Sequence, residues 1–223
     1  MGRRRRNIIA VVFTLAAAVL FVLDHSCVSR APQSPAQPAE LQNSADIQKY
    51  DDRQFTVLKV IDGDTLDIDI PDVNYPNTRI RLWGVDTPET KDPRRTEPMY
   101  YGPEASEFAS KLALGKRVTI HLEKEKNSRD KYHRLLAYVQ VPDKTFLNER
   151  LLEEGYAYAD LRFKHGLYNK YKQLEALARS QKKGLWANVS EDQMPKWKQK
   201  REDLTAEHPS TLRHEGQAAE VNK

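Results

Sequence analysis

Between residues 54 and 141 the apolar positions recur mostly every second residue, in short runs separated by turn formers. Residues 54–61 read as a strand, and Asp62-Gly63-Asp64 reads as a tight turn, because Asp-Gly is a strong hairpin signal. Leu66, Ile68 and Ile70 then alternate with Asp67 and Asp69, the pattern of a half-buried strand with both aspartates on a solvated face. After a turn at residues 74–77, residues 78–85 form a third strand, and residues 118–122 and 135–141 two more. Helical spacing appears at residues 103–114, with Pro103 suited to a first turn, then at 145–154 and at 168–183, where Gly184 stops the run. Short strands with helices inserted after the third and fifth predict an α+β fold that is mostly β. The form is a small closed barrel with about three helices rather than a doubly wound sheet.

The flanks break this rhythm. Arg3 to Arg6 precede the apolar run from Ile8 to Leu23, in which only Thr14 is polar. A basic stretch followed by an apolar one is the pattern of export, so residues 1–30 read as a signal peptide or signal anchor. A run of sixteen residues is slightly long for a cleaved signal and slightly short for a full span. The lack of a good small-residue cleavage site favours an uncleaved hydrophobic helix, with the remainder outside the cytoplasm. Cleavage and secretion is the alternative. Residues 31–50 are rich in proline and glutamine and read as a polar linker. The central globular domain is then 51–190, and 191–223 is a charged tail with Pro195 and Trp197 as its docking points.

Composition narrows the classes further. One cysteine among 223 residues excludes an internal disulfide framework and a cysteine-based zinc site. The net charge of +4 is concentrated in the N-terminal arginines, so nucleic-acid affinity in the central domain must come from local placement.

Charge stands out at three places. Asp64 shares the parity of Leu66 and Ile68, which would aim its carboxylate at the mouth of the barrel; a turn-forming aspartate is the bland alternative. Asp86, by continuing the alternation of Ile80 and Leu82, would point the same way. Two carboxylates, a backbone carbonyl and water suit a hard divalent cation such as Ca²⁺, and Glu89 lies close enough to act as a base on water. The third place is Asp130-Lys131-Tyr132-His133-Arg134, a basic and aromatic cluster that could serve as a phosphate and base platform or as ordinary surface charge.

The strings VLKVIDGDTLDI, RIRLWGVDTPET, YGPEAS, DKYHRLLAYV and KGLWAN occur in this order. Together they resemble the staphylococcal nuclease (thermonuclease) family across residues 55–188. The resemblance implies a five-stranded OB-fold barrel, Ca²⁺ held by Asp64, Asp86 and the Thr87 carbonyl, and catalysis by Arg81, Glu89 and Arg134. It also implies nucleotide contacts from Lys131 and Tyr132, and cleavage of DNA and RNA that leaves 3′-phosphate ends. Three departures bear on substrate preference. His133 replaces a glycine, a residue is added between Thr90 and Tyr101, and Leu161 and Phe163 replace base-facing tyrosines, of which Phe163 can still stack. The expected protein is a monomeric Ca²⁺-dependent nuclease with no evident protein partner, membrane-anchored if its N-terminus is uncleaved. A non-catalytic OB-fold module that binds nucleic acid or protein is the rival class.

Overall fold

Strand β1 (Arg53–Asp62) is long enough to serve two neighbours, and that sets the architecture. A computed structural model describes residues 39–90 and 96–199. Residues 1–38, with the expected signal or anchor, and the tail past residue 199 lie outside the described residues. So does part of the loop where an added residue was expected.

The first half of β1 pairs antiparallel with β5 (Arg117–His121), and its second half with β2 (Thr65–Ile68). Register shifts after Val57 and Val60 bend it between the two pairings. β2 pairs antiparallel with β3 (Thr78–Leu82), β3 pairs parallel with β6 (Leu135–Gln140), and β6 pairs antiparallel with β5. The closed order is β1-β2-β3-β6-β5, an OB-fold barrel. Leu66, Ile68, Ile80, Ile120 and Leu135 fill its interior and are all but inaccessible. The alternation seen in the sequence thus becomes a dry core.

The third strand departs from expectation. It ends at Leu82, turns at Trp83-Gly84, and resumes as β4 (Val85–Asp86), outside the barrel. Gly84 has a φ of +76°, and a Cβ there would come within 2.5 Å of the His165 ring. Only glycine fits both demands. β4 pairs instead with β7 (Tyr158–Ala159), far along the chain.

Residues 39–50 also differ from the expected linker, for they form helix α1 (Ala39–Tyr50). Its weak apolar pattern gave no signal; tertiary contacts hold it. Tyr50 is fully buried and hydrogen bonds with Thr78 Oγ1. Asp46 accepts from Ser128 Oγ at 2.6 Å and from Arg129 Nε at 2.8 Å, and Arg129 also pairs with Asp72. Burial opposes the Asp46 carboxylate, yet Arg129 and Ser128 hold it below its usual range.

Helix α2 (Gly102–Ala113) lies on β1 through Ala105, Ala109 and Ala113, a buried stripe at four-residue spacing that permits close approach. Helices α3 (Leu147–Glu153) and α4 (Tyr168–Ser180) pack together and turn Leu151, Leu152 and Tyr171 inward. A second cluster, built from Tyr158, Ala178, Leu185, Trp186 and Met194, ties the C-terminal turns to β7. No helix among the described residues is long and apolar enough to cross a membrane.

Candidate active site

Arg81 on β3 joins the expected carboxylates. Its Nη1 lies 2.7 Å from Asp64 Oδ2 and its Nη2 2.6 Å from Asp86 Oδ1. Nη1 also donates to the Val85 carbonyl at 2.8 Å, so the guanidinium is locked across the β3–β4 kink. Asp64 lies in the tight turn expected after β1 and is buried. It accepts the Thr87 backbone N–H at 2.7 Å and the Thr65 hydroxyl at 3.0 Å. The turn can come this close because a Cβ on Gly63 would meet the Thr87 side chain at 2.7 Å.

Asp86 reaches the same place by a route that alternation did not reveal. The kink at Gly84 breaks strand parity, and pairing with β7 then delivers the carboxylate. Asp67 corrects the expectation of a solvated face. It is buried, with its carboxylate bidentate on Arg79 at 2.8 and 3.0 Å, whereas Asp69 is exposed.

The mouth carries more acid than Arg81 can neutralise. Burial, with added repulsion from Asp64 and Glu89, pushes Asp62 up to about 7. Burial and the charges of Asp64 and Asp86 also raise Glu89, and burial raises Asp86 despite Arg81. Asp62 was missed in the sequence because its place in a turn has an ordinary explanation.

Among the described residues, no three His, Cys, Asp or Glu side chains are gathered in an arrangement that could hold a metal. Arg81 spans the gap between the two aspartates. The donor chemistry nevertheless fits a hard cation, because Asp64 and Asp86 offer only oxygen beside a surplus of negative charge.

The basic and aromatic cluster flanks this mouth. Arg134 is held by Asp130 through Nε and Nη2, both at 2.7 Å, and its Nη1 lies 3.5 Å from Thr65 Oγ1, beside Asp64. Tyr132 is two-thirds exposed, with Lys131 Nζ 4.9 Å and the Arg134 guanidinium 5.5 Å from its ring centre. His133 has a φ of +63°, so it keeps the left-handed backbone that glycine favours. Phe163 is exposed and Leu161 buried. Between them Arg162 is bidentate on Asp160 and lies 3.5 Å from Asp86 Oδ1; neither partner was expected.

The profile of the staphylococcal nuclease homologues matches residues 79–188. The thermonuclease of Staphylococcus hyicus is 36% identical over 146 residues, 65% of this chain and 82% of that protein. The chain belongs to the staphylococcal nuclease family. The Staphylococcus intermedius thermonuclease is 44% identical over 105 residues, 47% of this chain and 58% of the other. An uncharacterized endonuclease of Escherichia coli is 33% identical over 144 residues, 63% of this chain and 80% of its own length. The span matched by the nuclease family profile includes Arg81, Asp86, Thr87, Glu89, Lys131, Tyr132, Arg134 and Phe163. It leaves out Asp62 and Asp64 before it and Trp197 after it.

Proposed function

We propose that the protein is a Ca²⁺-dependent nuclease that hydrolyses phosphodiester bonds of DNA and RNA and leaves 3′-phosphate ends. That it is a nuclease follows from its family; the ion, substrate range and product ends are our reading. The observation that carries it is the acid-rich mouth, in which Arg81 clasps Asp64 and Asp86 while Glu89 shares their field.

Ca²⁺ would be held by Asp64, Asp86 and the Thr87 carbonyl, and when bound it supplies positive charge that polarises a phosphoryl oxygen. Glu89 takes the proton of the attacking water. Burial raises its proton affinity above that of a free glutamate, which suits it to the part of a base. Arg134, and Arg81 once the ion takes Asp64 and Asp86 from it, would present N–H donors to the phosphate oxygens, whose negative charge grows as water attacks phosphorus and the bond to the 5′ oxygen breaks. Tyr132 and Lys131 receive the nucleotide at the rim, and Phe163 offers an exposed ring for a base. The N-terminal arginines and apolar run support a place outside the cytoplasm, on an uncleaved anchor or as a released form.

The deciding assay incubates the full chain with linear DNA and with RNA, in Ca²⁺ and in chelator, and identifies the new ends. Cleavage of both in Ca²⁺ alone, giving 3′-phosphates, is expected. Oligonucleotide binding without cleavage at any Ca²⁺ concentration would instead make the barrel a binding module.

A further inference from the structure

Asp86 is held from a direction that the barrel does not supply. Lys198 and Gln199 donate their backbone N–H groups to the Pro195 carbonyl, forming a turn that carries Trp197. The Trp197 indole Nε1–H donates to Asp86 Oδ2 at 2.8 Å, across 111 residues of sequence. The other oxygen of that carboxylate, Oδ1, receives Arg81 at 2.6 Å and Arg162 at 3.5 Å. The Arg162 guanidinium lies 4.6 Å above the Trp197 ring centre, so the indole supports with its face the arginine that approaches Asp86.

The turn is fastened beside this contact. Lys198 Nζ pairs with Glu175 Oε2 at 2.6 Å, with both side chains more than nine-tenths buried. The other oxygen of Glu175 accepts the Ala159 N–H at 3.0 Å. Ala159 is in turn the strand partner of Val85, the residue before Asp86. A chain of contacts therefore leaves the C-terminal turn and returns to the two-residue strand that bears the carboxylate. The other tryptophans, Trp83 and Trp186, bury their indole N–H groups without a hydrogen-bond partner. Trp197 differs in directing its donor at a site carboxylate.

We propose that Trp197 is a positioning residue for Asp86, and that residues 194–198 complete the metal-binding mouth. A carboxylate on so short a strand can rotate; a donor on each oxygen fixes its plane and its reach. The inference rests on the nuclease reading above, because the position of Asp86 matters most if that residue binds the ion.

The test uses the full-length chain and Trp197→Phe, which keeps a ring beneath Arg162 and removes the donor. Ca²⁺ binding by calorimetry should weaken about tenfold, the lower end of the range for partners that orient a metal ligand. The Ca²⁺ concentration for half-maximal turnover should rise by the same factor, while the KM for an oligonucleotide at saturating Ca²⁺ should not change. Ca²⁺ should perturb tryptophan emission in the wild-type chain, and the Trp197 part of that signal should vanish in the variant. Unchanged Ca²⁺ affinity, or a lower unfolding temperature in chelator with unchanged affinity, would reduce Trp197 to a structural staple and overturn the proposal. A wild-type chain that neither binds Ca²⁺ nor cuts would overturn the nuclease reading, and this inference with it.

Discussion

Among the described residues, the aspartate–arginine–aspartate bridges at Arg81 and Arg129 have nearly the same burial. Arg81 with Asp64 and Asp86 has side chains exposed by 12%, 7% and 15%. Arg129 with Asp46 and Asp72 has 11%, 4% and 11%. Their electrostatics nevertheless diverge. At Arg129 the two aspartates also outnumber the cation, but Ser128 and Gln42 add donors, and Asp46 is held below its usual range against burial. At Arg81 further acids crowd in, and Asp62, Asp86 and Glu89 are all raised, by burial first and by their neighbours next. The first bridge staples helix α1 to the barrel. The second gathers a surplus of acid around one guanidinium. What separates them is the company around each bridge and not its members.

The contrast is tested most severely at Glu89. Glu89→Gln should lower turnover by about two to four decades, the span of a general base, while binding of an uncleaved oligonucleotide and the unfolding midpoint survive. Near-normal turnover in saturating Ca²⁺ would show that the surplus acid does no chemistry. At the other bridge, Arg129→Met leaves Asp46 and Asp72 buried without their cation. It should cost about 3–5 kcal/mol in urea unfolding, with turnover per folded molecule unchanged. Loss of turnover at full stability would erase the distinction between staple and site.

The mildest effect is expected at Asp62. A carboxyl raised in the folded state binds its proton there before it would in the unfolded chain. In chelator it therefore adds stability as pH falls from about 7 towards the ordinary value of 3.8 and withholds it above 7. Asp62→Asn should remove that pH dependence and stabilise the chain above pH 7 by on the order of 1 kcal/mol. Parallel pH–stability curves for the two proteins would mean that Asp62 is not under strain from its neighbours.

Alternation located all the barrel strands, because each turns every second residue into a single core and period two records that directly, even in β2, whose other face is also covered. The three main helices were legible from spacing and from Pro103 and Gly184. Asp64 sits in the turn that was its bland alternative, and its carboxylate still meets Arg81 and the Thr87 N–H. Asp86 reached the predicted place, but parity could not have shown how, since Gly84 resets the register and β7 takes over. Helix α1 stayed hidden because its stability resides in partners at residues 78, 128 and 129, which a local pattern cannot see. Asp67 was misread for the same reason, as its cross-strand partner Arg79 supplies what solvent was expected to supply. Trp197 could be picked out as a docking residue in a charged tail, but its hydrogen bond to Asp86 could not.

The β4–β7 pairing also bears on how the protein is made. Asp64, Arg81, Asp86 and Glu89 leave the ribosome early, but the strand that aims Asp86 begins at Tyr158. At synthesis rates of about 5–20 residues per second, the 69 residues from Glu89 to Tyr158 take roughly 3–14 seconds. The Trp197 contact needs longer still. Until then the growing polypeptide carries the reactive groups without the frame that sets them against one another. Chain order thus makes the framing of Asp86 a late event in synthesis, later than the emergence of every other group at the mouth.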